Sequence, residues 1–226
     1  RERYSREQGW WLDTIKASTC ADEVKLAGSG LVAFASFAFE PGRSVWVVPQ
    51  IVVGRRNGHT WVTTITTVDE ETSEPLLMLS KRDAQLPTGQ MRWEEGTQPI
   101  QKWQRAVADA VERINRGEVD KVVLARDIVG FCSKPIDTRH VLTNLAASYP
   151  ECWAFAVDGL IGATPELLVR RRGDQVTSRV LAGTVRRGQD QSADASLAEA
   201  LMASDKERAE HEYAVDSVAQ ALSAHC

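Results

Sequence analysis

Four stretches of this chain carry side chains able to move protons, hold a cation or line a ligand. The first is DKVVLARD, residues 120–127, an apolar run opened by Lys121. Such a run reads as a buried strand. Its lysine is then either a solvated edge charge or an amine held where its proton affinity is tuned. The second is LIGATPELLV, in which Glu166 follows Pro165. Proline cannot donate to a ladder, so Glu166 is expected at a strand start. A carboxyl partly desolvated there keeps its proton more firmly and suits general-acid work; the plain alternative is an exposed turn glutamate. The third is VLAGTV, residues 180–185. Gly183 permits close backbone approach to a ligand and Thr184 offers a hydroxyl to a carboxylate, although a bulge or strand end explains the same residues. The fourth is SDKERAEHEYA, residues 204–214, where Glu207, Glu210, His211 and Ala214 fall at i, i+3, i+4 and i+7 and share one helical face. Two carboxylates so placed suit a hard cation such as magnesium, which takes one or two protein carboxylates besides water and substrate oxygens. Ser204-x-x-Glu207 also matches a capping box, and charged helix faces are commonly only solvated.

The elements that must hold these groups are partly legible. Residues 30–68 are rich in β-branched and aromatic residues and read as strands, broken by turn signals at Pro41-Gly42 and Asn57-Gly58. Asn57-Gly58, between IVVGRR and HTWVTTI, predicts a hairpin. Residues 69–97 are acidic and turn-rich and read as a long connection. Trp103, Val107, Ala110, Val111 and Ile114 recur at helical spacing, predicting a helix over about 99–116 with Gly117 as its stop. DKVVLARDIVGF is expected as a strand and residues 137–148 as a helix ended before Pro150. Strands resume after that, with a hairpin turn at RRRGDQ, residues 170–175, and a helical tail from Ala193 onward. This mixture predicts an α/β domain of the α+β type, with large, mostly antiparallel sheets flanked by helices rather than regular βαβ alternation.

Composition narrows the function classes. With 43% hydrophobic and 26% charged residues, the 226-residue chain is of an ordinary globular kind and can bury a substantial core. A net charge of -4 argues against nucleic acid as the partner, so an anionic substrate would be drawn in locally, by a metal or a few basic side chains. The longest apolar run, LVAFASFAF, falls well short of the roughly 20 residues of a membrane span, so no membrane partner is expected. Cys20, Cys132, Cys152 and Cys226 lie far apart without CxxC pairs, which favours reduced thiols in a cytoplasmic setting. No Walker loop, HExxH or GxSxG is present, and Gly28-Ser29-Gly30 runs into a strand pattern rather than a helix, unlike a dinucleotide fingerprint. The first residue is not methionine, and the last stretch, QALSAHC, reads as an open helix, so the chain is expected to be part of a longer one.

The order KVVLAR, GATPELL, LAGTVRRG, SDKERAEH resembles the chorismate-utilising enzymes of the menaquinone, siderophore and tryptophan family. The likeness is firm from about residue 98 onward. Residues 1–97 form a compatible strand-rich part, and residues 98–226 are the expected chorismate-binding part, truncated at its C-terminal end. The resemblance implies the N-terminal half of the chorismate-binding fold and assigns roles position by position. Lys121 matches the general base that activates water, and Glu166 the general acid that protonates the departing C4 hydroxyl. Ala182, Gly183 and Thr184 match positions lining the substrate. Glu210 matches a magnesium ligand, with Glu207 an auxiliary carboxylate one turn earlier.

Two positions bear on the reaction. Where ammonia is the nucleophile, as in anthranilate synthases, glutamine typically stands at the place of Lys121. Aminodeoxychorismate synthases carry a lysine where this chain has Ala182. Water addition at C2, giving isochorismate with magnesium as cofactor, is what the resemblance implies. Salicylate synthase, which shares that first step and then eliminates pyruvate, is the second reading. A non-catalytic piece whose exposed sheet edge pairs with another chain is the third. Further magnesium glutamates, with an arginine and a tyrosine for the substrate carboxylates, are expected downstream, so the 226 residues alone are expected not to bind chorismate productively. Oligomeric state and the choice between menaquinone and siderophore synthesis are not encoded in these motifs.

Overall fold

A computed structural model describes residues 2–38, 44–70 and 83–226, and side chains from residue 9 onward. The chain divides into two compact units, one comprising Arg1–Gln85 with Ala156–Ile161 and the other Leu86–Phe155 with Gly162–Cys226. Helices and antiparallel ladders alternate irregularly, which is the α+β mixture expected. Among the described residues the strands pair two by two. No helix among them is long and apolar enough to cross a membrane. The Pro41-Gly42 turn lies outside the described residues.

The first unit opens with helix α1 (Glu2–Ala17), then β1 (Phe34–Ser36), β2 (Val45–Val47), β3 (Ile51–Arg56) and β4 (His59–Thr64). Helix α1 was not apparent from its charged sequence. Its Trp10 and Trp11 rings pack on Trp46 of β2, at centroid distances of 5.8 and 5.9 Å, and Phe37 adds an edge contact at 5.5 Å. Asn57 and Gly58, at φ 51° and 81°, form the expected two-residue turn between β3 and β4. Trp61, 8% exposed, is the buried apolar residue among those described in this unit. Its ring lies over Gly54, its cross-strand partner, where a Cβ would stand 2.1 Å from the indole. The indole N–H donates to Gly28 O (3.4 Å) and Thr63 Oγ1 to Ser29 O (2.6 Å), tying the hairpin to the loop before β1.

The second unit holds β5 (Met91–Glu95), α2 (Ile100–Asn115), β6 (Ile128–Cys132), α3 (Thr138–Ser148), β9 (Leu167–Arg172), β10 (Gln175–Arg179), α4 (Gln191–Ala203) and α5 (Asp205–Ser223). Strands β7 (Trp153–Val157) and β8 (Leu160–Thr164) pair through a turn at Asp158 and Gly159, whose φ values are 46° and 88°. The β9–β10 turn lies at Gly173 (φ 58°) and Asp174, within the stretch expected for it. Helix α2 ends as its sequence indicates. Gly117 takes φ 71°, its N–H donates to Ile114 O (2.9 Å) and that of Glu118 to Arg113 O (3.0 Å), the paired bonds of a Schellman stop.

Two expectations about these elements need correction. Residues 69–97 are not only a connection, because Met91–Glu95 pairs with β6, from Met91↔Cys132 to Glu95↔Ile128. The DKVVLARD segment is not a strand; residues 121–127 have no regular structure and the ladder begins at Ile128. The cause lies opposite. After Glu95 the partner chain turns away into α2, and Thr97 closes the ladder by donating from N–H (2.9 Å) and Oγ1 (2.8 Å) to the Asp127 carboxylate. Among the described residues no strand pairs with the apolar run upstream of Asp127, and Val123 stays 79% exposed. The helical tail begins at Gln191, two residues before the expected Ala193, and its second helix is capped at Ser204, where the sequence offered a capping box.

Asp137 caps α3 and anchors the segment before β5. Its carboxylate accepts from Arg139 N (3.1 Å), Arg139 Nε (2.9 Å) and Leu86 N (3.1 Å). The Arg139 guanidinium first, and then the Leu86 N–H, hold this carboxyl well below the ordinary carboxylate range. A depressed native pKa gives stability that is complete above the unfolded pKa, about 4, and is lost as pH falls toward the native value. The gap in thermal midpoint between the wild type and Asp137→Ala is therefore expected to be widest above pH 5 and to narrow on acidification to pH 3. A gap independent of pH would refute this role.

Candidate active site

Three of the four chemistry-bearing stretches meet on one face of α5. That helix starts where Ser204 Oγ accepts the N–H of Glu207 (3.3 Å), half of the expected capping box. The carboxylate of Glu207 is engaged elsewhere, with Oε1 3.1 Å from Lys206 Nζ. Glu207, Glu210, Ala214, Val218 and Leu222 form the half-buried face of α5, whereas His211, expected on the same face, is exposed.

Lys121 reaches this face from the irregular segment before β6. Its Nζ lies 3.6 Å from Glu210 Oε1 and donates to Glu210 O at 3.4 Å, with the two side chains 30% and 35% exposed. The amine is thus partly withdrawn from water, as anticipated, but by a helix rather than by a sheet. Trp103 of α2 contributes to the holding, since its indole N–H donates to Leu124 O (3.4 Å) within the same segment. Helix spacing marked Trp103 as part of the periodic face of α2; nothing in the sequence marked it as the tie to the Lys121 segment.

Gly183 meets α5 from the other direction. It has φ 81°, and a Cβ there would lie 3.0 Å from Glu207 Oε2 and 3.2 Å from Glu207 O. The closeness and the left-handed backbone both call for glycine. The LAGT stretch does not end a strand directly, because β10 stops at Arg179 and residues 180–188 have no regular structure. Ala182 is half-buried beside Gly183, and Thr184 is exposed. Gly183 and Thr184 line an open hollow of about 410 Å³ that is floored by α4 through Leu197, Ala198 and Leu201.

The far end of that segment is pinned to α4. Asp194 Oδ1 accepts from Arg187 Nε (2.7 Å) and from Gly188 N (2.8 Å), and Arg187 Nη2 lies 2.6 Å from Asp194 Oδ2. The Arg187 guanidinium first, and then the Gly188 N–H, hold the Asp194 carboxyl below the ordinary carboxylate range. Sequence reading passed over this pair. The available signal was an acid in the first turn of a helix capped by Asp190, seven residues after an arginine.

Glu166 stands apart from this cluster. It is exposed between β8 and β9, not partly desolvated, and its N–H donates to Thr164 Oγ1 (3.2 Å). Pro165 and Glu166 separate β8 from β9, which pair with different strands, so no ladder covers the glutamate. Among the described residues, no group of three or more histidines, cysteines and carboxylates gathers as a metal cluster. Glu207 and Glu210 offer two hard oxygen donors on one face, which fits magnesium in kind and in number of protein carboxylates.

The profile of the chorismate binding enzymes matches residues 1–226, the N-terminal strands included. The chain belongs to this family. It is 34% identical over 140 residues to the salicylate biosynthesis isochorismate synthase of Pseudomonas aeruginosa, covering 60% of the chain and 29% of that protein. It is 38% identical over 125 residues to the isochorismate synthase EntC of Escherichia coli K12, covering 53% and 32%. Among solved structures it resembles MenF, the menaquinone-specific isochorismate synthase of Escherichia coli, with a TM-score of 0.63, 26% identity, and coverage of 86% of this chain and 47% of that one. The chain spans less than half the length of these relatives.

Proposed function

We propose that the protein is an isochorismate synthase, converting chorismate to isochorismate with magnesium. The observation that carries this reading is the meeting of Lys121, Gly183, Glu207 and Glu210 on one face of α5. The relatives named above are isochorismate synthases, which favours isochorismate over salicylate as product. The same names span salicylate and menaquinone synthesis, so both a salicylate and a menaquinone route fit.

In the proposed reaction the Lys121 amine takes a proton from water as the water oxygen bonds to C2 of the ring. The ring double bonds shift, the C4–O bond breaks, and the carboxylic acid of Glu166 gives its proton to the departing hydroxyl, which leaves as water. One water enters and one leaves, so the reaction is an isomerisation; proton exchange with solvent then restores the neutral amine and the acid. Glu166 is exposed here, so substrate must cover it for its proton to be delivered to C4 rather than to solvent. Gly183 and Thr184 line the substrate beside Ala182, with the Thr184 hydroxyl as donor to a carboxylate. Glu210 and Glu207 would hold the magnesium, which would supply charge neutralisation to the ring carboxylate.

The test is product analysis of the full protein with chorismate and magnesium. Isochorismate is expected; salicylate with pyruvate would transfer the reading to salicylate synthase, and no turnover of chorismate would overturn both. Glu166→Gln tests the acid. It is expected to lower kcat by about 10² to 10⁴-fold, the range for losing one acid–base group, with the thermal midpoint unchanged because the side chain is exposed. Wild-type turnover in this variant would remove Glu166 from the mechanism.

A further inference from the structure

We infer that Asp194 is a positioning residue: by holding Gly188 and Arg187 on the first turn of α4, it sets where Gly183 and Thr184 stand relative to the carboxylates of α5. This rests on the reading of Gly183 and Thr184 as substrate contacts proposed above. Three observations lead to it. Residues 180–188 have no regular structure, so no ladder fixes the segment. Beneath residues 183–187 lies the open hollow over Leu197, Ala198 and Leu201, so packing from below is incomplete. The segment is therefore held at its ends, by Gly183 against Glu207 and by Gly188 against Asp194.

The contact at Gly188 is close. A Cβ on that glycine would stand 2.2 Å from Asp194 N, so only glycine brings the chain this near to the helix start. The two ties to Asp194 differ in weight. Arg187 is 89% exposed, and an ion pair so open to water is well screened, whereas Asp194 is 28% exposed and its bond from Gly188 N is partly buried. The backbone tie is expected to matter more than the guanidinium.

The variants Asp194→Ala, Asp194→Asn, Arg187→Ala and Gly188→Ala, made in the full protein, test this by steady-state kinetics with chorismate. A displaced lining weakens substrate binding in ground and transition states alike, so KM should rise while kcat holds. Asp194→Ala and Gly188→Ala should each raise KM about tenfold, within the cost of misplacing a positioning group by a fraction of an ångström. Asp194→Asn keeps an acceptor for Gly188 N and should restore most of the affinity, and Arg187→Ala should have a small effect. In parallel, hydrogen exchange of the amides of Thr184, Val185 and Arg186 without substrate should speed up in Asp194→Ala. Unchanged KM and unchanged exchange in Asp194→Ala would overturn the inference, as would a lowered thermal midpoint with KM intact. A wild-type protein without isochorismate synthase activity would instead overturn the functional reading, and the exchange measurement would still decide whether Asp194 fixes the segment.

Discussion

Lys121→Gln is expected to lower kcat for isochorismate formation by about 10³-fold, in the middle of the range for removing a general base. An amide cannot take a proton from water at working pH, and the glutamine side chain, one bond shorter than lysine, also gives up the 3.4 Å bond to the Glu210 carbonyl. Loss of the ion pair with Glu210 should cost little stability, because both side chains are about one-third exposed and the separation is 3.6 Å. The thermal midpoint and the circular dichroism spectrum should therefore match the wild type. A kcat within threefold of the wild type would show that Lys121 is not the base. A collapsed midpoint would show that the lysine serves the fold instead.

Gly54→Ala is expected to produce the largest loss of stability, in the first unit. The new methyl would sit 2.1 Å from the Trp61 ring, in place of the contact that lets the indole lie across the β3–β4 ladder. Trp61 has few ways to yield, since it is 8% exposed and its N–H is tied to Gly28 O. Either the ring leaves its site or the hairpin opens, and overpacking of this kind costs about 3 kcal/mol. Among the described residues of the unit Trp61 is the buried hydrophobic one, so the loss should appear as a separate early transition followed by tryptophan fluorescence or hydrogen exchange of β3 and β4. Kinetic constants for chorismate would report whether that unit supports turnover. A midpoint within a degree of the wild type would mean that the indole does not need the glycine.

The legible parts of the sequence were those decided by neighbours along the chain. Asn57-Gly58 demands a turn with positive φ at both positions, and Gly117 supplies a left-handed stop for α2; both work within a few residues. The parts decided by distant partners were misread. VVLAR has the composition of a strand, but a strand needs a neighbour, and here the opposite chain leaves at Thr97 to bond Asp127. MRWEE looks like part of a polar connection until Cys132 to Ile128 pairs with it. Helix α1 depends on Trp46, more than thirty residues away, to cover its tryptophans.

The site divides in the same way. Lys121, Gly183, Glu207 and Glu210 were found as members of ordered motifs, and the structure gathers them. Glu166 came from the same series and remains apart, because it lies in the two-residue break between β8 and β9, and which strands those two pair with is not written in the local pattern. Trp103 and Asp194 were missed because each acts on another residue's backbone, at Leu124 and Gly188, and such contacts leave no periodicity.

Ser204 is where the helix bearing Asp194 becomes the helix bearing Glu207 and Glu210. It closes α4 through its N–H to Leu201 O (3.3 Å) and opens α5 through its hydroxyl, with no other residue between the two helices. The joint works like a gear with a single tooth. One residue added in the first turn of α5, ahead of Glu207, would turn the rest of the helix by about 100° and advance it by about 1.5 Å relative to the Ser204 cap, carrying both glutamates away from Lys121. Length at this point is therefore as much a part of the chemistry as the identity of any side chain, and substitutions should be tolerated there far better than insertions or deletions.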